Sequence, residues 1–340
     1  MSNHPFRFGL VGAGAIAQAY ALAFESCALA SVAAVADVRL PAAKALADRL
    51  KCRSFDSYSQ MADEVELDAV LILTPPSTHL AICLDFIARG ISVLCEKPLS
   101  IDVPSTQKIV AAARESGVVL TMASKFRYVG DMVLAKNLVG SGMIGELILI
   151  ENMVTSRVDM TTRWNAKPEL SGGGVLIDNG THSVDLIRYF VGPLSEIQVV
   201  EGKRHQHLPV EETVHIFVRS ASGVLGTADL SWSINKEMES YLRIYGSKGT
   251  ISVGWRDSKF LPQGSREWAV IGKGYDKVQA FRSQIENFAR AVRQEEPLLI
   301  SLDDALASAQ AVEAAYESLR HSRWISIPVN PMAASQAAGA

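Results

Sequence analysis

Short apolar runs alternate with stretches of helical period from Arg7 to about residue 124. The runs are RFGLVG, SVAAVAD, DAVLILT, ISVLCE and VVLTMAS, with Val, Ile, Leu and Ala at consecutive positions. A strand that is apolar at every position buries both faces, as in a parallel sheet covered by helices on each side. Between the runs, residues 15–25, 41–50, 77–89 and 102–116 read as amphipathic helices. This strand–helix alternation predicts a doubly wound parallel α/β domain over residues 1–124.

The pattern changes after residue 124. A helix is predicted near 131–140, followed by GELILIENMVTS, a glycine-rich stretch and a helix reaching about Phe190. Runs of strand character follow: EIQVVEG, TVHIFVRS, GVLGTADLSW, SYLRIYGS, GTISVGW and EWAVIG, punctuated by glycines at 223, 246, 249 and 254. They predict a second, α+β domain over 125–330 with a large, mainly antiparallel sheet. Helices near 277–294 and 302–321 close that domain, and residues 331–340 have no pattern and read as a mobile tail.

Composition narrows the class. At 340 residues, with 48% hydrophobic and 20% charged positions, the chain suits two ordinary globular domains. A net charge of −3 and the lack of any run of five like charges give no footprint for nucleic acid or an anionic membrane. Cys27, Cys52, Cys83 and Cys95 show no CxxC spacing and fit reduced, buried thiols in the cytoplasm. The apolar segment Phe8 to Phe24, with Arg7 before it and Ala28-Leu29-Ala30 after it, carries marks of a secretory leader. A strand followed by a helix explains the segment better, because the same alternation continues downstream. No other segment reaches the 18 to 20 apolar residues of a membrane span.

Gly12-Ala13-Gly14-Ala15-Ile16-Ala17 forms G-x-G-x-x-A at the end of the first run. The first glycine permits a tight turn, the second lets backbone approach a pyrophosphate, and the small Ala17 lets helix pack on strand. The helix N-terminus that follows offers free N–H groups to phosphate. Asp37, 20 positions after Ala17, ends the second run, where a carboxylate accepts from the ribose hydroxyls of NAD and repels the 2′-phosphate of NADP. Val38 and Arg39 follow it, and the arginine keeps use of NADP open. TPPSTH, with Thr74, Pro75 and His79, and EKPLS, with Glu96 and Lys97, follow two further runs and so lie on the ligand-binding edge of such a sheet.

Gly172-Gly173-Gly174 leads to Asp178 and, four residues on, His182. If a helix begins near Asn179 or Gly180, the two share one face, and the histidine can accept a proton while the carboxylate orients it. The glycines would let backbone pass close to a sugar or a nicotinamide. Equally, Asp178 can be a helix cap and His182 a satisfied interior residue. A zinc site from Asp178, His182, His205 and His207, with His205-x-His207 on one strand, lacks a supporting Cys or Glu cluster, so no metal is expected.

Taken together, G-x-G-x-x-A, Asp37, Thr74-Pro75 with His79, Glu96-Lys97-Pro98, and the three glycines leading to Asp178, His182 and Asp185-Leu186 resemble one family. It is the glucose–fructose oxidoreductase, inositol dehydrogenase and MocA family, and the likeness runs from Arg7 to about Val329. The resemblance implies a Rossmann domain followed by a substrate and oligomerisation domain, and NAD-dependent oxidation of a sugar, sugar acid or polyol. It implies Lys97, Asp178 and His182 as the catalytic set. It also puts Lys125, Arg127, Tyr128, Arg157, Arg163 and Trp164 beside the substrate, and pairs subunits through the open sheet face into a dimer or tetramer. An NAD-using glycosidase without net redox change and a non-catalytic nucleotide sensor are the alternatives.

Overall fold

The computed structural model describes residues 5–328. They divide into two compact units, one of residues up to Tyr128 together with Lys277–Leu306, the other of Val129–Asp276 with the chain from Ala307 on. The first contains a parallel sheet of β1 (Phe6–Val11), β2 (Ala30–Ala36), β3 (Arg53–Phe55), β4 (Ala69–Ile72), β5 (Ser92–Glu96) and β6 (Leu120–Ala123), in spatial order β3-β2-β1-β4-β5-β6. Its crossover helices are α1 (Ala15–Glu25), α2 (Leu40–Leu50), α3 (Tyr58–Glu64), α4 (His79–Ala88) and α5 (Val103–Ser116). The strand β3 and the helix α3 escape the pattern reading because three residues of strand and seven of helix are too short to show a period.

Alternate side chains on these strands enter two separate cores. Phe8, Leu10, Val35, Leu71 and Leu94 pack on one face with Ala17, Tyr20 and Phe24 of α1. Val11, Ala34, Ala36, Val70, Ile72, Val93 and Cys95 pack on the other with Ile82 and Phe86 of α4 and Ile109 of α5. That division is why the runs are apolar at every position. The helix α5 shows how local sequence sets an element's ends. The Asp102 carboxylate accepts from Ser105 N at 2.7 Å, Pro104 follows in the first turn, and Gly117 stops the helix at φ +72°.

The second unit begins with α6 (Gly130–Gly140), β7 (Leu147–Thr155), α7 (Pro168–Ser171) and α8 (Val175–Val191). It continues with β8 (Leu194–Glu201), β9 (Thr213–Ser220), β10 (Leu225–Ser231), β11 (Ser240–Gly246), β12 (Gly249–Gly254), β13 (Ser258–Pro262), β14 (Ala269–Gly272) and β15 (Ile325–Ser326). The nine strands lie in the order β14-β13-β12-β11-β7-β10-β9-β8-β15; β7 and β10 run parallel and the other neighbours antiparallel. On one face Ile150, Ile216, Ala228 and Leu230 are buried beneath α8. On the other Val200, Phe217 and Leu225 are exposed.

The helices that close the chain are α9 (Lys277–Val292) and α10 (Leu302–His321). A reading in chain order assigns α9 to the C-terminal domain, but Phe281, Ile285, Phe288 and Ala289 belong to the first unit's core with Phe8, Tyr20 and Phe24. Burying each phenylalanine stabilises that unit by roughly 1.5–3 kcal/mol. The division between the units falls within α10, after Leu306. No helix among the described residues is long and apolar enough to cross a membrane. The expected tail, 331–340, lies outside the described residues.

Candidate active site

The turn after β1 is built for close approach. Gly12 adopts φ +104°, and a Cβ there would meet the Leu73 carbonyl oxygen at 2.9 Å. Its N–H donates to Ala36 O at 2.7 Å, while Leu73 N donates to Val11 O at 2.8 Å, so the ends of β1, β2 and β4 are joined. Gly14 is the N-cap of α1 without a capping side chain, and a Cβ on it would meet nothing within 4 Å. Ala15 and Ile16 open the helix, and Ala17 is fully buried against the sheet. Asp37 leaves the end of β2 with its carboxylate accepting from Ala13 N and Arg39 N, each at 2.8 Å. The Arg39 guanidinium lies 3.4 Å from the same carboxylate, and Val38 is exposed.

The same sheet edge carries the ends of β4 and β5. His79 is fully buried, with Nδ1 3.0 Å from Pro98 O and Nε2 2.8 Å from Thr74 O. Its ring ties the Thr74-Pro75 turn to the Lys97-Pro98 turn. Burial pulls the imidazole below its usual range and the carbonyls pull it back. Glu96 accepts from Tyr20 Oη at 2.8 Å and from Lys97 N at 3.2 Å. Burial pushes its carboxyl above the usual range, against the ammonium groups of Lys97 and Lys125. Tyr20 has one proton for two acceptors, Glu96 and Gln284 Oε1 at 2.9 Å, while Gln284 Nε2 has no partner among the described residues. Turning that amide over lets Gln284 Nε2 donate to Tyr20 Oη while Tyr20 donates to Glu96. Lys97 is half-buried at the end of β5, and the Lys97–Pro98 bond is cis.

In the second unit, α8 starts at Val175 with Gly174 as its N-cap, four residues before the expected start. Asp178 is therefore not the cap. It lies in the first turn, with its N–H donating to Gly174 O at 3.0 Å, half-buried and accepting from Asn165 Nδ2 at 3.4 Å. His182 follows one turn later on the same face and is 5% exposed. The glycines before them are crowded by protein. A Cβ on Gly173 would overlap Tyr316 Oη, and one on Gly174 would overlap the Glu211 carbonyl oxygen. The expectation that they make room for a sugar or a nicotinamide is thus corrected.

The remaining candidates separate by burial. Arg127 is 3% exposed and pairs with Asp304 at 3.2 Å, and the buried Tyr128 donates to Asn287 at 3.0 Å. Both hold the 125–128 turn in its unit. Lys125 lies over the Phe126 ring at 4.8 Å, while Arg157, Arg163 and Trp164 are exposed. His205 and His207 sit in the loop after β8, not on a strand, and no group of metal-binding side chains occurs among the described residues.

Comparison with known proteins decides the family. Residues 6–124 match a model described as an oxidoreductase family with an NAD-binding Rossmann fold, and residues 132–252 match the GFO/IDH/MocA C-terminal domain. The chain belongs to the GFO/IDH/MocA family. It is an NAD-binding oxidoreductase of that family. It is 27% identical over 318 residues to the rhizopine catabolism protein MocA of Rhizobium meliloti, covering 92% of this chain and 95% of that protein. Over 346 residues it is 27% identical to an inositol 2-dehydrogenase of Rhizobium meliloti strain 1021, covering 94% and 99%. The fold matches a levoglucosan dehydrogenase in complex with NADH, with a TM-score of 0.89 at 20% identity over 96% of this chain and all of that one. It also matches the WlbA dehydrogenase of Bordetella pertussis with NADH and UDP-GlcNAcA, with a TM-score of 0.85 at 22% identity over 97% and 100%.

The strand-end geometry suits the family's cofactor. The open space at Gly14 and the uncapped N-terminus of α1 would hold the pyrophosphate, and each Asp37 oxygen keeps a lone pair for a ribose hydroxyl. Three residues that organise the site went unnoticed in the sequence: Asn165, Glu211 and Tyr316. Only an acidic pair, Glu211-Glu212, just before a strand marks the second of them, and nothing local marks the others.

Proposed function

We propose that the protein is an NAD-dependent dehydrogenase that oxidises a secondary or anomeric hydroxyl of a sugar, sugar acid or polyol. The observation that carries this reading is the half-buried Asp178 one helical turn before the buried His182 on α8. His182 takes the proton of the substrate hydroxyl, and the Asp178 carboxylate orients the ring and favours its charged form. Lys97, aimed by its place between Glu96 and Pro98, donates to the substrate oxygen. When bound, NAD supplies the hydride acceptor. Lys125, Arg157, Arg163 and Trp164 stand as substrate contacts, and their three positive charges support testing a sugar acid beside inositols and neutral sugars. The exposed Val200, Phe217 and Leu225 support self-association through that sheet face, and the four free cysteines fit the cytoplasm.

The test is NADH formation at 340 nm across a panel of monosaccharides, inositols and sugar acids, with Lys97→Met alongside the wild type. Lys97→Met is expected to lower turnover by about 10²-fold or more while NAD still binds. Unchanged turnover would remove Lys97 from the mechanism. Release of sugar from a glycoside with no net NADH would favour the glycosidase reading.

A further inference from the structure

The start of α8 is held by a residue far away in sequence. Glu211, in the loop before β9, accepts Val175 N with its carbonyl at 2.9 Å and Gly174 N and Leu176 N with Oε1 at 2.9 and 3.0 Å. Three consecutive N–H groups of the helix start thus end on one residue, while the N-cap Gly174 contributes no side chain of its own. Tyr316 Oη on α10 donates to the same Oε1 at 2.8 Å. Glu211 is 5% exposed. The crowding at Gly173 and Gly174 follows from it, since any Cβ there would displace Tyr316 or Glu211.

The chain of contacts then reaches the proposed proton-handling pair. Gly174, fixed through its N–H by Glu211, accepts the amide of Asp178 at 3.0 Å, and His182 lies one turn beyond. We infer that Glu211, backed by Tyr316, is a positioning residue that fixes the first turn of α8 and thereby sets Asp178 and His182 for proton transfer. It touches neither substrate nor cofactor in this role. The inference rests on the function proposed above.

The experiment measures kcat per NAD-binding site, KM, Kd for NAD and Tm in Glu211→Ala, Glu211→Gln, Glu211→Asp and the wild type, with Asp178→Asn and His182→Asn as references. Glu211→Ala leaves buried donors without an acceptor, and Glu211→Asp falls one methylene short. Both should lower kcat about tenfold or more, with KM and NAD Kd held within about threefold, because the displaced groups act at the transition state. Glu211→Gln keeps an acceptor oxygen and should retain kcat within about threefold. A purely structural role would lower Tm and leave kcat per NAD-binding site alone. Glu211→Asp with kcat within about twofold of wild type, or a loss in Glu211→Gln as large as in Glu211→Asp, would overturn the inference. This holds even if the alanine variant does not fold. Should Asp178→Asn and His182→Asn keep full turnover, the proposed function itself fails. If they lose turnover and the Glu211 variants do not, only the positioning role fails.

Discussion

Asp37 works twice. Inside the protein it ties the Ala13 amide to the Arg39 amide, and we propose that its carboxylate also accepts from the ribose of the cofactor. Asp37→Ser should raise the ratio of kcat/KM for NADP to that for NAD by about tenfold or more, and an unaltered ratio would count against the assignment. Such a residue was legible because spacing from a glycine motif specifies it. His79, Arg127 and Tyr128 were not legible, because residue type says nothing about whether a polar side chain meets a ligand or the protein. His79 has both ring nitrogens on backbone carbonyls, and Arg127 meets a carboxylate 177 positions later, at Asp304. Contacts that distant leave no local pattern.

Two glycine motifs precede helices, and they serve opposite ends. At α1 a methyl on Gly14 would enter open space, so Gly14→Ala should leave Tm unchanged and weaken NAD binding. At α8 a methyl on Gly174 would strike the Glu211 carbonyl, so Gly174→Ala should cost about 1–3 kcal/mol of stability, read as a lower Tm without NAD. Equal behaviour of the two variants in both measurements would contradict this contrast. Apart from the short α3 and α7, the helices were visible in the sequence to within a few residues. The start of α8 was placed too late because its true beginning, Val175-Leu176-Ile177, is apolar and reads as an entering strand or loop. Its capping carboxylate comes from another part of the chain.

Each unit buries one carboxyl whose pKa is raised chiefly by loss of solvent, Glu96 in the first and Glu211 in the second. A raised native pKa stabilises the folded state fully below the unfolded value of 4.5, and that contribution fades as pH rises through the native pKa. Glu211→Gln cannot titrate, so its stability deficit against wild type should be largest near pH 4.5 and shrink at higher pH, as Tm measured across pH would reveal. A deficit that grows with pH would reverse the assigned direction. Both domain architectures followed from the alternation of apolar runs, since parallel and half-exposed antiparallel strands pattern differently. The membership of α9 did not, because its apolar face only says that it is buried, not where. That membership has a consequence for biogenesis. The nucleotide-binding half emerges from the ribosome with a hole where Phe281, Ile285 and Phe288 belong, and the whole of 129–276 must be synthesised before the plug arrives. At bacterial or eukaryotic elongation rates that interval is on the order of ten seconds, during which sticky surface stands open to chaperones and to neighbouring nascent chains.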